Sequence, residues 1–101
     1  MERRIVAIVG SSKFKDHHLG GAQKETLRGS IVLLAGDWHH VDKVPITDEQ
    51  KESLDFLMLD KVSLATEVFV VNVKGYVGHS TQRAIDLAKS LGKPLRWLED
   101  P

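Results

Sequence analysis

Three short, β-branched apolar runs and a fourth candidate punctuate the chain: "RIVAIVG" at 4–10, "SIVLLAG" at 30–36, "EVFVVNV" at 67–73, and "PLRWLE" at 94–99. Apolar runs of this length, without polar alternation, are what strands buried on both faces require. The fourth is the weakest, because its proline must take the strand's first position. The intervals carry helical spacing instead. Thr47 and Gln50 form a capping box ahead of Leu54, Leu57, Met58, Val62 and Ala65. A further helix starts near Ser80, places Ala84, Ile85, Ala88 and Leu91 on one face, and stops at Gly92 before Pro94. A shorter helix over about 20–27 fills the first interval. Strands alternating with helices imply right-handed crossovers and a sheet covered on both faces. The pattern predicts an α/β three-layer sandwich on a mainly parallel four-stranded sheet, in the order 2-1-3-4.

Composition narrows the function classes. A length of 101 residues suits a single domain. Fourteen basic and fourteen acidic side chains cancel, and no Lys/Arg-rich run breaks the balance. That argues against a nucleic-acid polymer as partner, whose binding rests on clustered cations. Cysteine is absent, which excludes disulfides, thiolate metal sites and thiol catalysis. No apolar stretch approaches the roughly 20 residues needed to span a bilayer. "MERRIVAIVG" lacks the longer apolar run and cleavage site of a signal peptide. These features predict a cytoplasmic protein without a membrane partner.

In an open parallel sheet, ligands bind beyond the strands' carboxyl ends, where the winding reverses. Here the reversal lies between the first and third strands, so the loops at 10–14 and 72–81 should face one crevice. Gly10, Ser11 and Ser12 offer close backbone approach and two hydroxyls. Gly75, Gly78, Ser80 and Thr81 form a second flexible turn at a helix N-terminus, whose dipole and unpaired N–H groups favour an anion. Arg83 in the first turns would be mildly unfavourable unless an anion binds there. The alternative is that Ser80 merely caps the helix and Arg83 merely faces water.

The full chain resembles the nucleoside 2-deoxyribosyltransferase-like superfamily, in particular its short bacterial and phage branch. The resemblance rests on "IVAIVGSSKF", "GSIVLLAGDWHH", and "ITDEQKESLDFLMLDKVSLATEVFVVNVKGYVGHSTQRAID" through to "GKPLRWLE". It implies a flavodoxin- or Rossmann-like sheet and chemistry at the N-glycosidic bond of a nucleoside or nucleoside 5′-monophosphate. It also implies that the loop after strand one and the start of the last helix contact the sugar or its 5′-phosphate. The candidate contacts are Gly10, Ser11, Ser12 and Phe14 from the first loop. The second segment adds Asn72, Gly75, Tyr76, Gly78, Ser80, Thr81 and Ala84. No cofactor or metal is called for.

Members that transfer the sugar use a glutamate on the first turns of the last helix, since a carboxylate stabilises the oxocarbenium character that develops as the base departs. That position is Ala84 here. Sugar transfer by the family route is therefore in doubt. Asp86, about 200° further round the helix, should point away from the crevice. His79 offers a general acid or base in the turn, or only a surface histidine. Asp60 corresponds to an aspartate that the superfamily places in its crevice; otherwise it is a solvated helix residue. Both stand as the catalytic candidates.

The pairs His17-His18 and His39-His40 invite a metal reading, as does a convergence of Asp37, His39 and Asp42, but no His-x₃-His or Cys partner supports it. Trp38, in the long loop 36–46, either stacks on a base or closes the core edge. "FLML" at 56–59 wraps apolar side chains around the helix, which predicts a covering element or a second subunit in a homodimer.

Overall fold

The computed structural model describes residues 3–101. Strand β1 (Ile5–Gly10) occupies the middle of a four-stranded sheet, with β2 (Ile31–Leu33) on one side and β3 (Glu67–Val71) then β4 (Leu95–Trp97) on the other. Every pairing is parallel, in the order β2-β1-β3-β4. This is the flavodoxin/Rossmann-like arrangement that the alternating pattern predicts. Val6 of β1 lies opposite Glu67 and Gly10 opposite Val71, so the two central strands end together.

The reason β1 reads as uninterrupted apolar sequence is visible in its two faces. Val6 and Ile8 pack with Val71, Phe14, Ala22 and Phe69 on one side. Ala7 and Val9 pack on the other with Val62, Ala65, Val68, Val70, Ala84, Ile85 and Ala88. Helix α1 (Lys15–Leu27) covers the first face, while α3 (Asp48–Leu64) and α4 (His79–Ser90) cover the second. A four-residue α2 (His39–Asp42) sits in the long connection after β2.

Helix α3 begins at the anticipated capping box: Thr47 Oγ1 accepts from Gln50 N at 3.0 Å, and Gln50 Oε1 accepts from Thr47 N at 2.9 Å. Its core stripe differs slightly from the spacing argument. Leu59 packs on the core, whereas Leu57 is 46% exposed. In α4, Leu91 lies past the last turn and is exposed, as Gly92 (φ 67°) turns the chain away.

Helix α1 is longer than the 20–27 segment, starting at Lys15. Gly20 and Gly21 look like breakers in sequence, but Gly21 is where the helix rests on the sheet. A β-carbon there would stand 3.2 Å from the Phe69 ring, so even a methyl group would require the ring or the helix to shift by a few tenths of an ångström.

Candidate functional site

A cavity of about 290 Å³ opens at the carboxyl edge of the sheet, where β1 and β3 part. Its floor is the end of β1 with the Gly10–Ser12 turn; the start of α4, the middle of α3 and the loop after β2 form the walls. Gly10 is obligatory in this floor. Its φ is 149°, and a β-carbon would come within 2.7 Å of the Val71 carbonyl. The site thus forms at the winding reversal, as an open α/β sheet requires.

Of the residues expected there, Gly10, Ser11, Ser12, Tyr76, Gly78, His79, Ser80 and Thr81 line the cavity. Gly78 caps α4 without a side-chain bond, and Gln82 N donates to its carbonyl at 2.9 Å. The first-turn N–H groups of His79, Ser80 and Thr81 are consequently not occupied by a cap. Ser80 does not cap the helix. Its hydroxyl donates instead to Asp55 Oδ1, 3.1 Å away on α3. Tyr76 folds back over Gly78, with Oη 3.3 Å from where a β-carbon would be, and Lys13 Nζ lies 3.6 Å above its ring centre.

The other expected residues are elsewhere. Asp60 is exposed and outside the cavity lining. The carboxylate that α3 presents there is Asp55, which shares a helix face with Lys51, Leu54, Met58 and Lys61 of the lining. Ala84 does not face the cavity either. It is fully buried in the apolar cluster with Ala7, Val9 and Val62, one turn past Thr81. Asn72 is a structural clamp: its amide donates to the Glu99 carbonyl and accepts from Glu99 N, both at 2.9 Å. Gly75 (φ 79°) and Lys74 (φ 54°) make the left-handed turn that follows. Phe14 packs on the α1 face of the sheet and edge-on against Tyr76, at 6.0 Å between ring centres. Arg83 is exposed, away from the cavity.

Besides Asp55, further polar groups line the cavity without having been expected there, among them Asp37, His39 and His18. Asp37, at the end of the β2 strand-loop junction, accepts from both the backbone N–H of His39 (3.1 Å) and its ring Nδ1. This contact holds the Asp37 carboxyl below its usual range. It also leaves His39 Nε2 as the free ring nitrogen of an imidazole that lines the cavity. The His39 and His40 rings stack 4.1 Å apart. His18, 2% exposed, donates from Nε2 to the Ser11 carbonyl at 3.1 Å. A carbonyl only accepts, so Nε2 carries the proton and Nδ1 is left as an acceptor without a partner among the described residues. Burial pushes the His18 pKa down and keeps the ring neutral. Trp38 rests edge-on against His18, at 5.1 Å, and thus closes the core edge rather than lining the cavity.

Among the described residues no cluster of three or more His, Cys, Asp or Glu is placed to hold a metal ion. No helix among them is long and apolar enough to cross a membrane. No protein-family profile, curated protein or solved structure shows significant similarity to the chain.

Proposed function

We propose that this chain is a nucleoside- or nucleotide-binding domain whose ligand, a nucleoside or nucleoside 5′-monophosphate, occupies the cavity at the carboxyl edge of the sheet. The observation that carries the reading is the pairing of the Gly10–Ser12 turn with the uncapped first turn of α4 in one cavity. Backbone donors at a helix N-terminus favour a phosphate by geometry and by dipole. The sequence resemblance to nucleoside 2-deoxyribosyltransferase-like proteins supplies the ligand class. Ala84, which the resemblance equates with the nucleophile's position, supplies no carboxylate and packs in the apolar core, which speaks against the transferase route of that superfamily. The same absence favours a second reading, a non-catalytic binding or interaction module.

We place the protein in the cytoplasm and assign a second copy of the chain to the exposed Phe56, Leu57 and Leu64 of α3, which are 53%, 46% and 69% accessible. Light scattering at micromolar concentration should give twice the 11.3 kDa chain mass; a monomer would remove that assignment.

Calorimetric titration tests the binding reading. A nucleoside 5′-monophosphate should bind more tightly than its nucleoside, by about tenfold or more, since one phosphate gains charge-assisted bonds of about 1.5–3 kcal/mol. Heats indistinguishable from dilution at millimolar concentration for every common nucleotide would defeat it.

A further inference from the structure

The charge that cancels over the whole chain does not cancel around the turn from α1 to β2. Arg3, Arg4, Lys24 and Arg28 are all exposed there. Arg28 follows α1 directly, Ile31 N donates to the Arg4 carbonyl at 2.8 Å, and Arg3 Nη1 stands 3.3 Å from where a β-carbon of Gly29 would be. The carboxylates beside them are Glu25 and Glu67, and Arg96 engages both. Counting Arg96, five cations meet two carboxylates, and the α1 C-terminus offsets only about half a charge. Arg3 and Lys24 form no ion pair among the described residues.

The same turn leads into an open strand edge. β2 pairs with β1 alone, and no strand of the sheet lies on its outer side. A parallel ladder bonds alternate residues of a strand to a given neighbour. Ile31 N faces β1, so the N–H and C=O of Val32 turn outward. Edges are commonly guarded by a charge, a proline or a bulge within the strand; Ile31, Val32 and Leu33 supply none. Leu27, before the turn, is 80% exposed, and Ile31, after it, 50%. Ile31 shares the sheet face of Leu33, toward α3 and α4, whereas Leu27 ends the helix on the opposite face.

We propose that the outer edge of β2 is a docking site for an extended acidic segment of another protein, which adds a strand to the sheet. The segment's main chain bonds to the outward N–H and C=O of Val32. Its side chains alternate between the two faces, so apolar ones rest on Leu27 on one side and on Ile31 on the other. Its Asp or Glu residues lie at the end beside Arg3, Arg4, Lys24 and Arg28. Charge and geometry together select this occupant. A second copy paired through its own β2 would bring two such cation clusters to opposite ends of a three-residue strand. That separation is about 10 Å, roughly one Debye length at 0.1 M salt, so the clusters would repel. A flat anionic surface such as a bilayer would neutralise the cations but leave the outward groups of Val32 unpaired. The contact lies at the opposite end of the strands from the cavity and does not depend on what the cavity binds.

The test starts from intact protein panned at low salt against a displayed library of short random peptides, the enriched ones being synthesised with a fluorophore for anisotropy. They should carry Asp or Glu residues beside a run with Val, Ile or Thr at alternate positions. Arg3→Glu combined with Lys24→Glu should weaken them by about tenfold or more, and raising the salt to about 0.5 M should act in the same direction. Ile31→Lys, which places the missing guard at an exposed position of the strand, should weaken them by a similar factor. Saturating peptide should slow hydrogen exchange of the Val32 amide in the wild type by about tenfold or more, a change that a purely electrostatic contact would not produce. That readout needs no variant, and thermal unfolding shows whether each variant is folded. Enrichment of no acidic peptide, binding that leaves Val32 exchange unchanged, or affinity indifferent to Ile31→Lys in a folded variant would overturn the proposal. Displacement of the peptide by phosphatidylserine vesicles that capture the protein without slowing Val32 exchange would assign the cations to a lipid surface and overturn it. Protection of Val32 that grows with protein concentration in the absence of peptide would give the edge to a second copy instead.

Discussion

The two edges of the sheet use charge in opposite ways. At the amino edge, Glu25 of α1 is 5% exposed and bonded on both oxygens: Arg96 Nη2 donates at 2.7 Å and Arg28 Nη1 at 3.0 Å. Arg96 also reaches Glu67, at 3.2 Å, and lies over the Phe69 ring. Through Arg96 the network ties α1 to β3 and β4. At the carboxyl edge, Asp55 accepts one hydroxyl bond, Asp37 orients one imidazole, and His18 Nδ1 is unpaired. The comparison teaches that charge at the amino edge is gathered into one interlocked network, with Arg96 Nε and Ser30 Oγ left without partners there among the described residues, whereas at the carboxyl edge single contacts orient side chains that line a cavity. Oriented polar groups that converge on a cleft are a physical mark of a candidate ligand site.

The largest predicted effect probes the boundary between core and cavity. Ala84→Glu places a carboxylate among Ala7, Val9 and Val62, so it should destabilise the fold by about 4 kcal/mol or more in denaturant unfolding, through overpacking and burial of an unpaired charge. A stable variant that gains base-release activity would mean that position 84 belongs to the cavity after all. Next comes the amino edge. Glu25→Gln leaves Arg96 and Arg28 without their anion and should cost about 2–3 kcal/mol, less than the roughly 3–5 of a fully buried pair because Arg96 still reaches water. Nucleotide affinity should not change. A change in affinity without a change in stability would invert the contrast between the edges.

Acid separates the edges by the order in which they fail. His18 titrates below the ordinary imidazole value because burial disfavours its charged form. Its neutral form matches the fold above about 6.5, and stability is lost as pH falls from there toward the lowered folded value. Glu25 titrates below the ordinary carboxylate value because Arg96, then Arg28, hold it ionised. Its contribution is complete above about 4.5 and lost as pH falls through its lowered folded value. Urea midpoints measured against pH should therefore drop first through a step that His18→Phe removes, and later through one that Glu25→Gln removes. A single carboxylate step, unchanged in His18→Phe, would count against the buried neutral histidine. The smallest effect is expected from Asp55→Asn, which keeps shape and a hydrogen-bond acceptor for Ser80: stability should move by less than about 1 kcal/mol.

Legibility in the sequence followed the strength of local patterns. The strands and their order were readable because β1 and β3 are buried on both faces and so carry no polar interruption. The start of α3 was readable from one capping box. The start of α1 was not, because Gly21 reports contact with Phe69, a tertiary fact, while it looks like a helix breaker. In the site, the glycine turns were found from backbone chemistry alone. Asp55 was missed in favour of Asp60, although helical spacing held the signal: Lys51, Leu54, Asp55, Met58 and Lys61 share the face that lines the cavity, and Asp60 lies off it. The Asp37–His39 contact depends on a loop conformation that no periodicity encodes.

The central claim, that the carboxyl edge is the ligand site, is tested most directly by following backbone amide resonances while a nucleoside 5′-monophosphate is added. Saturable shifts should concentrate at Gly10, Ser11, Ser12, His79, Ser80 and Thr81, with Glu25 and Arg96 unmoved. No shift at millimolar nucleotide, or shifts centred on the Glu25–Arg96 edge, would contradict it.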